Sequence, residues 1–424
     1  MLLLRFFLVA SSYKIIIIGG GTGGCSLSHR FHKLVPKGQI AVIEPSQEHH
    51  YQPGYTLVGG NLYTLPQCIK PMKAVLHRDN VWINQSVAKI NANDNFITLN
   101  DGTKISYELL LVAAGIELRF DMIGNLAQAM FDPNICSIYR ADLAQKTQKV
   151  LQLFDRGEAI FTLPNTPVKC TGAAQKICYL ADEIFRQRGV RDQIHLTFNT
   201  PLSDIFDVPK YARVLNEIVK NKSIELKLFR NLKSVDITKR EATFEVIGTD
   251  AKPTGQIEVQ KFDLLHVTPP CLPPQVLRNS PDITNAANFL DVNPKSLQHV
   301  KYANIFGIGD CIGSPNKKTA AALFTQMRTL SKNIPRFLEK KPILETYDCY
   351  SSCPIIVSFR HVVLAEFTPK GPLETLPINQ AKPRFISFLM KRYLLPWIYW
   401  TLGIKGHWLG PTVIRKIIHL GASK

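Results

Sequence analysis

The stretch "YKIIIIGGGTGGCSLSHRFHKL", residues 13–34, predicts a strand, a tight turn and a helix. Ile15 to Ile18 form a run of β-branched residues that is typical of a strand buried on both faces. Gly19, Gly21 and Gly24 follow in the G-x-G-x-x-G pattern, which lets a pyrophosphate approach the backbone at a helix N-terminus. The stretch therefore predicts a Rossmann-like nucleotide-binding unit.

An acidic residue in the next strand supports this prediction. "QIAVIEP" predicts a second strand, and Glu44 ends it twenty residues after Gly24. A carboxylate at that position would hold the ribose hydroxyls of a bound dinucleotide.

Two later segments resemble signatures of flavoproteins with two dinucleotide-binding domains. "YELLLVAAGIEL" contains Ala114 and Gly115, and "YANIFGIGDCIG" contains Asp310. The resemblance implies FAD as the nucleotide, with Asp310 near its ribityl chain and pyrophosphate. "KKTAAALFTQ" predicts the start of a helix whose dipole would face the flavin, where Lys318 would stabilise the reduced ring.

A second strand-and-helix unit, residues 159–188, stands where such proteins usually bind NADH. Its loop, "PNTPVKCTGAAQ", lacks the glycine cradle, and Pro164 and Pro167 have no N–H to offer a phosphate. Cys170 occupies the loop instead, just before the predicted helix N-terminus and beside Lys169. Both features lower the pKa of a thiol, so Cys170 is a candidate redox residue.

A partner for Cys170 cannot be chosen from local chemistry. "YDCYSSCPIIVSFRHVVLAEF" predicts two strands preceded by polar turn residues, and it contains both Cys349 and Cys353. Either thiol would have to reach Cys170 through the tertiary fold.

Motifs along nearly the whole chain from Tyr13 resemble the mitochondrial sulfide:quinone oxidoreductase family. They are "GGGTGG", "YQPGYTLVGG", "TPVKCTGAAQ", "LLHVTPP", "FGIGDC", "KTAAALFTQ", "YSSCPIIV" and "LAEF". The resemblance implies that Cys170 and Cys353 are the redox pair. Bacterial relatives have a further cysteine in an early loop for covalent attachment of the flavin. Cys136 falls in that neighbourhood, but we interpret it as incidental and expect non-covalent FAD.

The resemblance also implies a reaction. Hydrogen sulfide would attack a bridge between Cys170 and Cys353, leaving a persulfide, which we expect on Cys353. The electrons would pass through FAD to ubiquinone, and the sulfur would leave to an acceptor such as glutathione or sulfite. The formal net charge of +18 would draw in such anions. The stretch "YQPGYTL", residues 51–57, would line the cavity that holds the redox pair.

The last fifty residues predict a membrane-binding region. They contain eight Lys or Arg, no acid after Glu374, and three of the four tryptophans, Trp397, Trp400 and Trp408. Charged residues and proline interrupt every apolar run, so we expect helices that lie in the interface with their basic residues toward lipid phosphates. Aromatic residues of this region are candidates for the quinone site: Phe385, Phe388 and Tyr393.

The N-terminal segment "MLLLRFFLVASSYK" is too short to span a bilayer. It fits either a clipped secretory signal or the remnant of an organellar transit peptide. We favour the latter because no acid precedes Glu44, and so expect a protein peripheral to the mitochondrial inner membrane. The sequence contains no metal-binding motif and no zinc-finger spacing, so we expect neither a metal nor a nucleic-acid partner.

The predicted fold class is α/β, with two interleaved Rossmann-like domains and a C-terminal membrane-associating helical segment. The FAD domain would comprise 13–125 and 285–345, the degenerate NAD-like domain 126–284, and the C-terminal region 346–424. Three other functions remain open: a type II NADH:quinone dehydrogenase, a soluble flavoprotein sulfide dehydrogenase, and a non-catalytic membrane-bound scaffold.

Overall fold

The computed structural model describes residues 11–420. Residues 1–10, which hold most of the predicted targeting segment, lie outside the described residues, as do residues 421–424. The remainder of that segment belongs to the first strand, Ser11–Ile18, so regular structure begins slightly before the predicted domain boundary at residue 13.

A largely parallel sheet is built on the opening motif. Ile15 to Ile18 are buried, as their β-branched run predicts. The chain contributes to this sheet twice, because the strand Ile305–Gly307 returns to pair in parallel with Lys104–Val112. From one edge to the other, the sheet runs through Val81–Ile83, Ile40–Ile43, Ser11–Ile18, Lys104–Val112, Phe96–Leu99 and Val87–Asn91.

A second, fully parallel sheet forms from the middle of the chain. Its strands are, in spatial order, Ile135–Cys136, Leu264–His266, Gly157–Thr162, Ile194–Asn199 and Ile224–Lys227. Along the chain, an antiparallel meander lies between Ile224–Lys227 and Leu264–His266. Its strands are Arg230–Asp236, Glu241–Ile247 and Pro253–Lys261. The parallel order and the return of the first sheet confirm the predicted α/β class with interleaved units.

The region around Cys353 forms an antiparallel hairpin, Ser351–Ser358 with His361–Thr368, which is extended by Gly371–Pro372. Short strand pairs complete the β structure: Glu48–His50 with Ile69–Pro71, and Glu117–Leu118 with Cys271–Leu272.

Helices cover both sheets. The α-helices are Thr22–Phe31, Tyr55–Gly59, Met72–Val75, Leu126–Ala129, Ala141–Leu153, Gly172–Gln187, Pro209–Asn221, Gln275–Arg278, Ala320–Leu338, Phe385–Leu389, Leu395–Ile398 and Thr412–Ile418. Short 3₁₀ turns are Gln52–Gly54, Leu65–Cys68, Ala92–Asp94, Phe120–Met122, Arg191–Gln193, Pro281–Ile283 and Gly309–Cys311.

The helical segments from Phe385 to Gly403 form one run. The π-helical turn Met390–Leu394 joins Phe385–Leu389 to Leu395–Ile398, and the π-helical turn Tyr399–Gly403 ends the run. We call residues 385–403 the C-terminal run. No helix within residues 11–420 has the length and apolarity needed to cross a bilayer.

Each sheet has its own hydrophobic core. The first core holds Ile15 to Ile18 and the return strand, and Tyr399 and Ile404 of the C-terminal region also belong to it. The second core holds the helix Gly172–Gln187 together with the hairpin. The C-terminal region therefore supplies residues to both cores, and the two distant cysteine segments share one of them.

Candidate active site

Three predicted nucleotide motifs meet at one edge of the first sheet. Ile18 pairs in register with Val112, and Val112 pairs with Gly307. The residues that follow these strands therefore emerge side by side at the carboxyl ends of parallel strands, where α/β sheets bind ligands.

The glycine loop leaves room for a pyrophosphate only at the expected position. A Cβ on Gly24 would lie 1.7 Å from the Gly19 carbonyl oxygen, and one on Gly19 would lie 2.5 Å from the Ala113 carbonyl oxygen. A Cβ on Gly21 would meet nothing within 4 Å. Gly19 and Gly24 are thus needed for close packing. Gly21 leaves open space at the N-terminus of the helix Thr22–Phe31, which fits a dinucleotide phosphate.

Glu44 lies beside this loop, at the end of its strand. One carboxylate oxygen accepts a hydrogen bond from the Gly20 N–H at 2.6 Å, and the other accepts one from the Ser46 N–H at 2.7 Å. A carboxylate has further lone pairs, so ribose hydroxyls can still be accepted. The position fits the predicted role, which stays a prediction.

Ala114 and Gly115 begin two residues after the end of the strand Lys104–Val112, and space is open around Gly115, whose φ is +69°. Asp310 follows the return strand, and burial raises the pKa of its carboxyl group. Lys318 lies two residues before the helix Ala320–Leu338, and its ammonium donates to the Asp310 carbonyl oxygen at 2.6 Å. These residues are gathered at the same edge, and their roles toward a flavin stay predictions.

Cys170 lies just before the helix Gly172–Gln187, at the carboxyl end of the strand Gly157–Thr162. Its φ is +47°, an uncommon backbone conformation for a residue other than glycine. Hydrogen bonds hold it there, because its N–H donates to the Lys318 carbonyl at 2.9 Å and its carbonyl accepts from the Ala173 N–H at 2.7 Å. The first contact joins the cysteine loop to the segment that follows Asp310.

The structure brings Cys170 and Cys353 together. Their Sγ atoms are 3.5 Å apart, although 183 positions separate them in the chain. Gly172 permits this approach, since a Cβ there would lie 2.6 Å from the Cys353 Sγ. Cys349 lies elsewhere, with its Sγ 3.8 Å from the Ser314 hydroxyl. Of the two partners that the sequence left open, the one implied by the family resemblance is the one in contact.

Lys176 supplies the cation at this thiol pair. Its Nζ donates to the Cys170 Sγ at 3.3 Å, and the side chain is 4% exposed. A hydrogen bond from Cys353 and the charge of Lys176 hold the pKa of Cys170 well below its usual value. The hydrogen bond to the Cys170 thiolate, together with burial, raises the pKa of Cys353. Cys170 is therefore the thiolate of the pair and Cys353 the thiol.

The prediction that Lys169 activates Cys170 is wrong. The Lys169 ammonium donates to the Gln52 side-chain oxygen at 2.9 Å, in the segment "YQPGYTL". The residue adjacent in sequence is hydrogen-bonded to Gln52, whereas Lys176, in the first turns of the helix, is hydrogen-bonded to the sulfur. Helical periodicity alone did not identify Lys176 as a site residue, because that identification depends on where Cys353 packs against the helix.

Lys391 also differs from its prediction. It belongs to the C-terminal run, where we expected basic residues to face lipid phosphates, but it is 7% exposed. Burial, together with the charge of Lys176, lowers the pKa of its amine to about 7, while Cys170 and Cys353 act in the opposite direction. The run thus contributes an ionisable amine to the electrostatics of the thiol pair.

A cavity of about 300 Å³ opens beside the cysteine loop. The loop lines one side through Pro164, Pro167 and Thr171, and Lys317 and Lys318 line another. Small anions therefore have a basic recess next to Cys170.

Cys136 has surroundings different from those of the thiol pair. It lies in the strand Ile135–Cys136 of the second sheet, is fully buried in the second core, and has a pKa raised to about 12 by burial. Such a thiol is inert toward nucleophilic chemistry. Its interpretation as incidental stays a prediction.

Replacing Lys176 with Met should raise the pKa of Cys170, because the thiolate loses its paired ammonium. We expect an upward shift of about 1 to 3 units, the size that an opposite charge at short range produces. The measurement is the pH dependence of iodoacetamide labelling of reduced protein, with the Cys170 peptide quantified by mass spectrometry.

The matched control is Lys169→Met, which removes an equal charge from the residue next to Cys170. It should leave the labelling midpoint near that of the parent chain. A midpoint that is unchanged in Lys176→Met, or one that moves as far in Lys169→Met, would contradict this assignment.

This chain resembles known proteins over nearly its whole length. No protein-family model matches it. Mouse mitochondrial sulfide:quinone oxidoreductase is 40% identical over 410 residues, covering 96% of this chain and 90% of the mouse protein. The corresponding protein of Dictyostelium discoideum is 37% identical over 404 residues, covering 95% of this chain and 88% of that protein.

A solved structure shares the fold. The sulfide:quinone oxidoreductase of Aquifex aeolicus superposes with a TM-score of 0.78 at 19% identity, covering 98% of this chain and 96% of that one. The mouse and Dictyostelium relatives are both named as mitochondrial proteins, which confirms the predicted mitochondrial location. By identity and coverage, this chain is an oxidoreductase that belongs to the sulfide:quinone oxidoreductase family.

Proposed function

We propose that this chain oxidises hydrogen sulfide with Cys170, Cys353 and FAD, reduces ubiquinone, and passes the sulfur to glutathione, sulfite or a similar small acceptor. The observation that carries the proposal is the 3.5 Å contact between the two sulfurs. The contact lies at the strand-to-helix loop where a related enzyme would bind a pyridine nucleotide.

The residues present fit a non-covalent FAD. Gly21 leaves space for the pyrophosphate, Glu44 lies within reach of a ribose, and Ala114, Gly115 and Asp310 border the same edge. When bound, FAD supplies a two-electron acceptor and a route onward to the quinone.

The unequal acidity of the two thiols decides the direction of attack on a Cys170–Cys353 bridge. The thiol of lower pKa is the better leaving group, and that is Cys170. Hydrosulfide therefore attacks the Cys353 Sγ. The bridge breaks, a new S–S bond forms on Cys353, and the electron pair goes to the Cys170 thiolate, which Lys176 stabilises.

The second half of the cycle removes the sulfur. An acceptor thiolate or sulfite takes the outer sulfur of the persulfide and leaves the Cys353 thiolate. Closing the bridge between the two thiolates would release two electrons, and an FAD held beside Gly21 and Glu44 would supply their acceptor. The Lys391 amine, with its pKa near neutrality, is suited to take up the proton of hydrogen sulfide or to return one to a thiolate.

The acceptor would enter through the cavity beside Thr171. The basic residues that line this cavity, Lys317 and Lys318, match the negative charge of glutathione and sulfite. Lys317 also forms an ion pair with Asp207, so an anion would compete with that carboxylate for the ammonium.

A lipid surface is the proposed partner of the C-terminal region. Phe385, Ile386, Tyr393, Leu394 and Trp397 of the C-terminal run are exposed, and exposed apolar residues continue on the last helix with Val413, Ile414 and Ile417. Large exposed apolar patches mark interaction sites, and nearby Lys405 and Lys416 suit anionic headgroups.

Only part of the predicted aromatic set faces outward. Trp400 and Trp408 pack against the first core, and Phe388 is buried in the second. Trp397 is the exposed tryptophan of the run, at 55%. The proposed headgroup contact therefore rests on Phe385, Tyr393 and Trp397 and on their aliphatic neighbours.

Anaerobic addition of sulfide with sulfite to the yellow protein should bleach the flavin, and addition of NADH should not. Ubiquinone should then restore the colour. Cys170→Ser and Cys353→Ser should keep the colour and lose the bleaching, whereas Cys349→Ser, the matched control, should bleach as the parent does. Bleaching by NADH would favour the type II dehydrogenase. Reoxidation by cytochrome but not by quinone would favour the soluble enzyme, and a colourless protein the scaffold.

Trp397→Ala should weaken binding to anionic phospholipid vesicles by about tenfold, because it removes the largest exposed apolar side chain of the run. Cosedimentation with the vesicles measures the effect, and added salt should reduce binding further. Phe131→Ala removes a highly exposed aromatic residue outside this region and serves as the control. Equal binding of both variants would argue against the proposed surface.

A further inference from the structure

Tyr399 turns inward from the C-terminal run. The side chain is 2% exposed, whereas Trp397 two positions earlier is one of the exposed residues. Tyr399 begins the second π-helical turn, and such turns are frequent at functional positions. Its hydroxyl is 2.8 Å from the His49 Nε2 and 2.8 Å from the Thr22 Oγ1. The inward face of a surface-binding segment therefore touches the start of the first helix.

His49 links this hydroxyl to the glycine loop. Its Nδ1 lies 3.1 Å from the Gly20 carbonyl oxygen, which can only accept, so Nδ1 carries the proton. Burial lowers the pKa of His49 to about 4, and the neutral ring therefore accepts at Nε2. Tyr399 must donate to Nε2 and accept from the Thr22 hydroxyl. The hydrogen bonds run in one direction, from Thr22 through Tyr399 and His49 to Gly20.

The backbone of Gly20 is thus held at both its N–H and its carbonyl oxygen. Its N–H donates to Glu44, and its carbonyl oxygen accepts from His49 and, at 3.1 Å, from the Cys25 thiol. The next residue is Gly21, the position with open space at the helix N-terminus. Fixing the peptide group at 20 and the side chain at 22 fixes the backbone N–H groups between them.

Packing reinforces these hydrogen bonds. The Ser26 hydroxyl lies 2.9 Å from the Gly403 carbonyl oxygen, at the end of the run. A Cβ on Gly406 would lie 2.7 Å from the Ser26 carbonyl oxygen. The end of the C-terminal run therefore lies directly on the first helix, one turn after Thr22.

We propose that Tyr399 is a positioning residue that couples docking of the C-terminal run to the FAD-binding loop through Thr22, His49 and Gly20. The inference rests on the proposed binding of FAD. Coupling between two sites is reciprocal. Docking of the run therefore preorganises the loop for the pyrophosphate, and bound FAD in turn holds the run against the first helix.

Tyr399→Phe tests the coupling because it removes one hydroxyl and keeps the ring. On dilution of the full-chain holoprotein, FAD fluorescence should appear about three- to tenfold faster than in the parent, the effect of losing one hydrogen-bond link. Amide hydrogen exchange should also rise at 20–24 and at 399–406. Thr22→Val should act in the same direction, and the double variant should be less than additive because both changes break one chain.

Tyr393→Phe is the control, since it removes an exposed hydroxyl from the same run. It should release FAD as the parent does. If Tyr399→Phe and Tyr393→Phe release FAD at the same rate, the coupling is refuted while the proposed function stands. If the parent chain binds no FAD, the proposed function and this inference both fail.

Discussion

The contact between the Cys170 and Cys353 sulfurs is the interaction on which the site depends. It requires a helix without a side chain at position 172, a hairpin packed against that helix, and a loop held in an uncommon backbone conformation by the Lys318 carbonyl. None of these features is needed for the Rossmann-like fold itself. The second unit has the strand and helix of a Rossmann-like fold, and the loop between them carries Cys170.

Charge then makes the two sulfurs unequal. Burial alone would keep both thiols protonated, as it does for Cys136. A hydrogen bond from Cys353 and the charge of Lys176 reverse this for Cys170, and the resulting thiolate raises the pKa of Cys353. Lys391 adds an amine that is not fixed in one charge state near neutral pH. Because Lys391 comes from the C-terminal run, the thiol pair and the proposed lipid-binding surface share one structural element.

Local patterns predicted the features that depend on local geometry. The β-branched run, the spacing of Gly19, Gly21 and Gly24, and the position of Glu44 identified the first nucleotide unit, because sterics and strand order determine them directly. The sequence also predicted the loop that holds Cys170 and lacks a glycine cradle, and the structure has that loop between the strand Gly157–Thr162 and the helix Gly172–Gln187. The choice of Cys353 over Cys349 came from family resemblance and not from chemistry. Lys176 and Lys391 were missed as site residues, and Lys169 was chosen wrongly, since tertiary packing decides which charges act on the sulfurs.

Mapping the sulfur after a single anaerobic addition of sulfide to the oxidised protein tests the central claim most directly. Mass spectrometry of alkylated peptides should find one extra sulfur on the peptide of Cys353, and a Cys170 peptide alkylated as a simple thiol. An extra sulfur on Cys170 would contradict the assignment of Cys170 as the leaving thiolate. An extra sulfur on Cys349, or on neither member of the pair, would contradict the role of the pair itself.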